Sequence, residues 1–374
     1  MKMPNIMDYI DWRGDLTMAK SEFNEVDNLI LAMLAYVNLD DIVPPYYSLE
    51  SISIKEASDL FFSKYSEKEI LAEVSMTKMC PFLMRKMAES NRFSKLKLSR
   101  YVNKIDYREQ KQFSAITIEF EDDTIYVAFR GTDNTIVGWK ENFNMSFKTE
   151  VPAQLEAVRY LEYTTGRINK RIRIGGHSKG GNLAVYASVK ASHNIKEKII
   201  EVYNNDGPGF DKKMISSQEY KEMLAKIKTI VPQSSIVGML LEHEEEYKIV
   251  KSNNNPIMQH NGMLWEVLGN KFVYVDSITK ESKLLDVTLK SWVDKMEEAE
   301  REQFVDSLYY IFEATDVKNF GDLLNDKWHK LNEIRKVISK MAPKNREIIS
   351  KTIKLLFKES SKVARNRNKI EQAK

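Results

Sequence analysis

The stretch Gly176-His177-Ser178-Lys179-Gly180 has the spacing G-x-S-x-G. Residues 171–175 before it read as a short strand, and residues 181–188 after it as a helix. A strand that turns so sharply into a helix strains the serine backbone and lifts its hydroxyl above the sheet edge. Glycine is needed on either side, because a Cβ there would strike the neighbouring strand and helix. Gly181, Ala184 and Ala187 suit close packing of that helix on the sheet.

Outward from this turn the chain alternates strand and helix. Residues 115–120 and 124–129 flank Glu121-Asp122-Asp123 and predict a hairpin. Leu155, Val158 and Leu161 predict one apolar face of a helix that Gly166 ends. Strands are expected at 198–204, 227–232 and 247–251, with a last hairpin of 264–267 and 272–275 turning at Gly269-Asn270. Residues 1–100 read as mainly helical, with a strong helix from Phe23 and a capping box of Ser66 with Glu69. Pro44-Pro45 breaks the chain between them. Helical patterning resumes at about residue 284. The expected organisation is a helical region 1–100 packed on an α/β core 101–280, then a helical region 281–374 with a basic tail. The helical segments 40–100 and 281–374 are expected to pack around the core and roof the site, being too amphipathic for free linkers.

Composition narrows the function classes. The 374 residues are 43% hydrophobic and 30% charged, with a net charge of +3, so charge alone implies no nucleic-acid partner. The single cysteine, Cys80, excludes an internal disulfide and fits a reducing cytoplasm. The N-terminus lacks an apolar core with a small-residue cleavage site, so no signal peptide is expected. The longest apolar run, Leu29 to Val37, falls far short of the ~20 residues that span a bilayer and reads as a buried helix. Residues 340–374 hold 11 Lys/Arg against 3 Asp/Glu. That tail reads as a solvated helix, or as a weak anchor for an anionic membrane surface. No His/Cys/Asp cluster has metal-ligand spacing, and there is no phosphate loop, so neither metal nor cofactor is expected. Met76, Met79, Met84 and Met87 read as core, with a flexible acyl-binding surface as the alternative.

A serine hydroxyl is a poor nucleophile until a base takes its proton. Of five histidines, His260 lies in a loop before the last strand pair, late in the chain where such a base belongs, and is the chosen candidate. His177 sits within the turn, its side chain expected to point away from the serine; His193 reads as solvated, His329 as a surface or core residue. His243 is the second candidate, in a charged stretch whose Glu242, Glu244, Glu245 and Glu246 read as a solvated face or as rival acids. The base needs a carboxylate to fix its tautomer. Asp206 ends the strand after that of the serine and is the candidate, with a plain turn role before Gly207-Pro208-Gly209 as the alternative. Donors for a developing oxyanion are expected from the Lys179 backbone N–H and from Thr132, where Gly131 lets the backbone come in close.

At these residues the chain resembles a class 3 lipase. The similarity lies in a strand ending Phe129-Arg130-Gly131-Thr132 with Trp139 nearby, and in Gly176 to Ala184, which matches G-H-S-x-G-G-x-L-A. It covers about residues 110–265 and implies Ser178 as nucleophile, with Thr132 and Lys179 forming the oxyanion hole. Two departures stand out. The segment comparable to the lipase acid position, Ile230 to Gly238, holds no carboxylate, and Lys179 replaces an apolar residue. Residues 204–210, 234–238 and Gln259-His260 also resemble a bacterial lipase-like family over most of 1–280, which implies a hydrolase fold without a substrate.

The expected fold is therefore α/β: an α/β-hydrolase-like, mostly parallel sheet with antiparallel edges, flanked by helices, with helical N- and C-terminal additions. The expected function is that of a serine hydrolase acting on a small-molecule or lipid acyl ester through Ser178, Asp206 and His260. The competing class is a non-catalytic binding or scaffold protein of the same fold.

Overall fold

Apolar alternation in the central segments builds the sheet. The computed structural model describes residues 3–73, 75–106, 108, 111–132, 141, 144–145, 150–235, 237–239, 241–252, 258–315, 327–355 and 358. The strands described are β1 (Ser51–Ser53), β2 (Lys97–Asp106), β3 (Lys111–Glu119), β4 (Thr124–Phe129), β5 (Arg171–His177), β6 (Ile199–Asn205), β7 (Ile227–Pro232), β8 (Tyr247–Val250), β9 (Val267–Leu268), β10 (Lys271–Phe272) and β11 (Tyr274–Val275). Nine of them form one sheet in the order β1-β2-β3-β4-β5-β6-β7-β8-β11, and β9 with β10 makes a separate ribbon about Gly269.

The pairings from β4 through β8 are parallel. Those from β1 through β4, and β8 with β11, are antiparallel. The sheet is thus mixed rather than mostly parallel. The difference lies in β1 and β2, inside the region read as helical and at its border. Between Ser99 and Val102 the register of β2 shifts, and Arg100 takes a φ of +55°. Such a bulge breaks the period-two signal that marks a strand.

Two apolar layers cover the sheet. On one side the N-terminal helices Ile6–Arg13, Glu25–Leu34, Ile54–Lys64 and Cys80–Glu89 share a core with Ile116, Ile118, Tyr126 and Ala128 of the strands. The long apolar run forms the second of these helices. Asn24 caps it in a reciprocal box with Asp27, and every residue from Val26 to Leu34 is buried. On the other side, helices Pro152–Thr165 and Lys179–Lys190 pack on Val127, Phe129, Ile172 and Ile174. The first of them buries Ala153, Ala157, Tyr160 and Leu161, while Leu155, expected inward, is 39% exposed. Met84 and Met87 are core, whereas Met76 and Met79 are exposed.

The C-terminal helices Lys280–Asp294, Glu298–Ala314 and Lys327–Lys340 gather a smaller core of their own, with Phe304, Ile311, Met341, Ile348 and Ile349. No helix among the described residues is long and apolar enough to cross a membrane. Trp139 and most of the basic tail lie outside the described residues.

Candidate active site

Ser178 and Asp206 stand side by side because their strands are in register. His177 of β5 pairs with Asn205 of β6, so the residue after each leaves the sheet at the same edge. The Ser178 N–H donates to Asn205 O (2.9 Å), and the Asp206 N–H donates to Ile230 O (2.8 Å). Both residues adopt positive φ, +57° and +52°. For a non-glycine residue that conformation costs about 1–3 kcal/mol and persists only where its surroundings enforce it. At Ser178, the N-cap of helix Lys179–Lys190, the enforcement is close packing. A Cβ on Gly176 would come within 2.3 Å of Gly180 backbone atoms, and one on Gly180 within 2.1 Å of Phe129 O. Beneath the turn, Asn28 of the buried helix donates to Asn205 Oδ1 (2.9 Å), and Asn205 donates to Gly176 O (2.9 Å).

Asp206 is fully buried and both of its carboxylate oxygens have partners. Oδ1 accepts from Ser235 Oγ (2.5 Å) and the Gly238 N–H (3.2 Å). Oδ2 lies 2.6 Å from His260 Nδ1. Ser235 and Gly238 belong to the segment that carries no carboxylate; it supplies donors to an acid carried by β6 instead. The His260 loop is itself pinned. The Trp265 indole donates to Gln259 O (2.9 Å), and Gln259 Oε1 accepts from the Ser234 N–H (2.9 Å). Among the described residues no hydrogen bond engages His260 Nε2 or Ser178 Oγ.

His177 serves the loop rather than the serine. Its Nε2 donates to His260 O (2.6 Å), which leaves Nδ1 to accept from the Tyr36 hydroxyl (2.9 Å). Burial, reinforced by the neighbouring His260, pushes its pKa down to about 3. A ring that resists protonation in the fold but titrates near 6.5 when unfolded stabilises the protein above that pH. The contribution is lost as pH falls from 6.5 toward about 3. Urea unfolding across that window is expected to show a shallower loss of stability in His177→Gln than in the parent.

Thr132 follows β4 on the other side of Ser178. Its Oγ1 is buried and has no partner among the described residues, a donor left open. Gly131 lets the chain in: a Cβ there would lie 2.0 Å from the Tyr36 hydroxyl oxygen and 2.6 Å from His177 O. The Lys179 side chain is fully buried. Its ammonium donates to Gln112 O (2.6 Å), Gln112 Oε1 (2.6 Å) and Glu141 Oε2 (2.8 Å). Glu141 also accepts from the Ala153 N–H (3.0 Å) and the Gln112 N–H (3.2 Å). A lysine therefore fits an otherwise apolar position by satisfying all three of its protons. Lys179→Met is expected to cost about 3–5 kcal/mol in denaturant unfolding by stranding Glu141, and Lys179→Met with Glu141→Gln to recover much of that loss.

The remaining histidines divide. His193 is exposed beside Glu197. The His243 side chain is largely covered and pairs with buried Glu245, which corrects the solvated-face reading for Glu245, while Glu244 and Glu246 are exposed as read. Sequence reasoning missed the parts played by Tyr36, His177, Ser235 and Glu245; none has a local pattern that announces its distant partner.

The sheet with its helical layers, and the serine turn at the ends of its parallel strands, make this an α/β protein. The Mbeg1-like family model matches residues 87–310, more than half of the chain, and the chain belongs to that lipase-like family. No curated protein matches it. Among solved structures it is similar to the native Rhizomucor miehei lipase propeptide complex, at 16% identity and a TM-score of 0.31, over 43% of this chain and 58% of that one. It is also similar to M37 lipase, at 16% identity and a TM-score of 0.32, over 58% of this chain and 84% of that one.

Proposed function

We propose that this chain is an α/β-hydrolase-type serine hydrolase acting on acyl esters. The observation that carries the reading is the 2.6 Å contact of His260 Nδ1 with the buried Asp206, at the edge where Ser178 leaves the sheet. Asp206 holds the Nδ1–H tautomer of His260 and leaves Nε2 to take a proton. In the proposed reaction Nε2 takes the Ser178 proton as Oγ attacks the ester carbonyl carbon. The oxyanion is received by the backbone N–H of Lys179 and by Thr132. The same proton passes from His260 to the departing alkoxide, leaving an acyl group on Ser178. Water, deprotonated by His260, then releases the acid and restores the serine.

A small-molecule or lipid ester fits this chemistry equally. A reducing, cytoplasmic setting is part of the proposal and rests on Cys80, buried and unpaired. A weak contact of residues 340–374 with an anionic membrane surface rests on their charge alone.

One observation favours the rival reading of a non-catalytic binding protein: Ser178 is only 5% exposed. Rapid mixing with a p-nitrophenyl ester separates the two. Acyl-enzyme chemistry gives a burst of p-nitrophenolate approaching one per chain, followed by slower turnover. The binding protein releases none above the rate of the buffer.

A further inference from the structure

Behind Asp206 lies a second buried histidine–carboxylate pair to which the proposed reaction gives no part. His243 and Glu245 side chains are 7% and 3% exposed. Glu245 Oε1 accepts from Thr229 Oγ1 (2.5 Å), and its Oε2 accepts from the Tyr220 hydroxyl (2.6 Å). Burial pushes the Glu245 carboxyl up, but the hydrogen bond and charge of His243, with the Thr229 and Tyr220 hydroxyls, outweigh it and hold the pKa at about 2. His243 Nδ1 lies 3.0 Å from Glu245 Oε1, and its Nε2 lies 2.7 Å from Gly238 O. Both ring nitrogens thus have partners, and Nε2 must be the donor in its bond, because the Gly238 carbonyl can only accept.

Gly238 is the joint. Its carbonyl accepts from His243, while its N–H donates to Asp206 Oδ1. There is no slack around it, since a Cβ on Gly238 would lie 2.3 Å from Asp206 Oδ1 and 3.0 Å from Ser235 Oγ. Ser235, the other donor to Oδ1, is held from behind as well: its carbonyl accepts from Ser282 Oγ of helix Lys280–Asp294. Among the described donors to Oδ1, the Gly238 peptide is the one held by the buried His243–Glu245 pair. That peptide and the Ser235 hydroxyl together hold Oδ1 while Asp206 presents Oδ2 to His260.

We infer that His243, anchored by Glu245, is a positioning residue that sets the Asp206–His260 hydrogen bond through the Gly238 peptide. This rests on the reading of Ser178, His260 and Asp206 given above. A misplacement of about 1 Å at such a site costs on the order of 10²-fold in rate.

Two measurements test it. The first uses the wild-type chain with ¹⁵N-labelled histidine. Nε2 of His243 is expected to carry the proton that it donates to the Gly238 carbonyl; an Nε2 without a proton overturns the inference. The second uses His243→Gln, which keeps a polar side chain and removes the ring. The strongly downfield Nδ1–H proton of His260 is expected to shift or vanish, and kcat on a p-nitrophenyl ester to fall about 10²-fold with KM nearly unchanged. Thermal unfolding checks that the variant is folded. A folded variant with an unaltered His260 proton signal and unaltered kcat overturns the inference. Should His243→Gln not fold, the wild-type measurement and Tyr220→Phe decide, the latter expected to move the His260 signal in the same direction and refuting the inference if it does not. If the wild-type protein proves inactive, the functional reading fails, while the two spectra still decide whether His243 sets the Asp206–His260 bond.

Discussion

Ser178→Ala is expected to lower kcat for p-nitrophenyl esters by about 10⁴–10⁶-fold. Removing Oγ takes away the atom that forms the acyl bond, and among the described residues no neighbouring side chain is placed to replace it. Lys179 cannot substitute, because its ammonium is tied to Gln112 and Glu141. His177 cannot, because both of its ring nitrogens are engaged. Residual turnover would come from the oxyanion donors and substrate binding alone. The fold should be spared: among the described residues Ser178 hydrogen-bonds through its backbone, and alanine keeps those bonds. Steady-state kinetics beside a thermal melt checks both halves, and wild-type turnover in Ser178→Ala removes the serine from the mechanism.

Asp206→Asn carries the second largest effect, about 10³–10⁴-fold in kcat. Asparagine tolerates the φ of +52° found here. Its amide oxygen can keep the Ser235 and Gly238 donors, which turns the NH₂ group toward His260 Nδ1. The ring then accepts at Nδ1 and holds its proton on Nε2, where a base is required. Activity should fall while the melting temperature stays close to the parent's. A fully active Asp206→Asn would show that the carboxylate has no part in catalysis, leaving Glu242 or Glu244 to test as the acid.

Local chemistry made part of this arrangement readable in the sequence. The glycines around Ser178 and the alanines after it reflect contacts a few residues long, as does the cap of Ser66 with Glu69. Asp206 could be chosen because a strand-end acid beside the serine strand must lie near the serine whatever else the fold does. His260 followed from chain order. Long-range pairing left no such trace. Tyr36 reaches His177 across 141 residues, and Lys179 reaches Gln112 across 67. Glu245 looks like its exposed neighbours until β7 brings Thr229 against it. The bulge at Arg100 hid β2 by shifting its alternation midway. The functional residues that sequence reasoning overlooked are those that hold others in place, because their partners are chosen by topology.

The most direct test of the central claim is covalent labelling with a fluorophosphonate probe, mapped by peptide mass spectrometry in the wild-type chain and in Ser178→Ala. If Ser178 is the activated nucleophile, one phosphonyl group appears on the peptide containing Ser178, and labelling is absent from Ser178→Ala. An adduct on another residue, or no adduct at high probe concentration, contradicts the account.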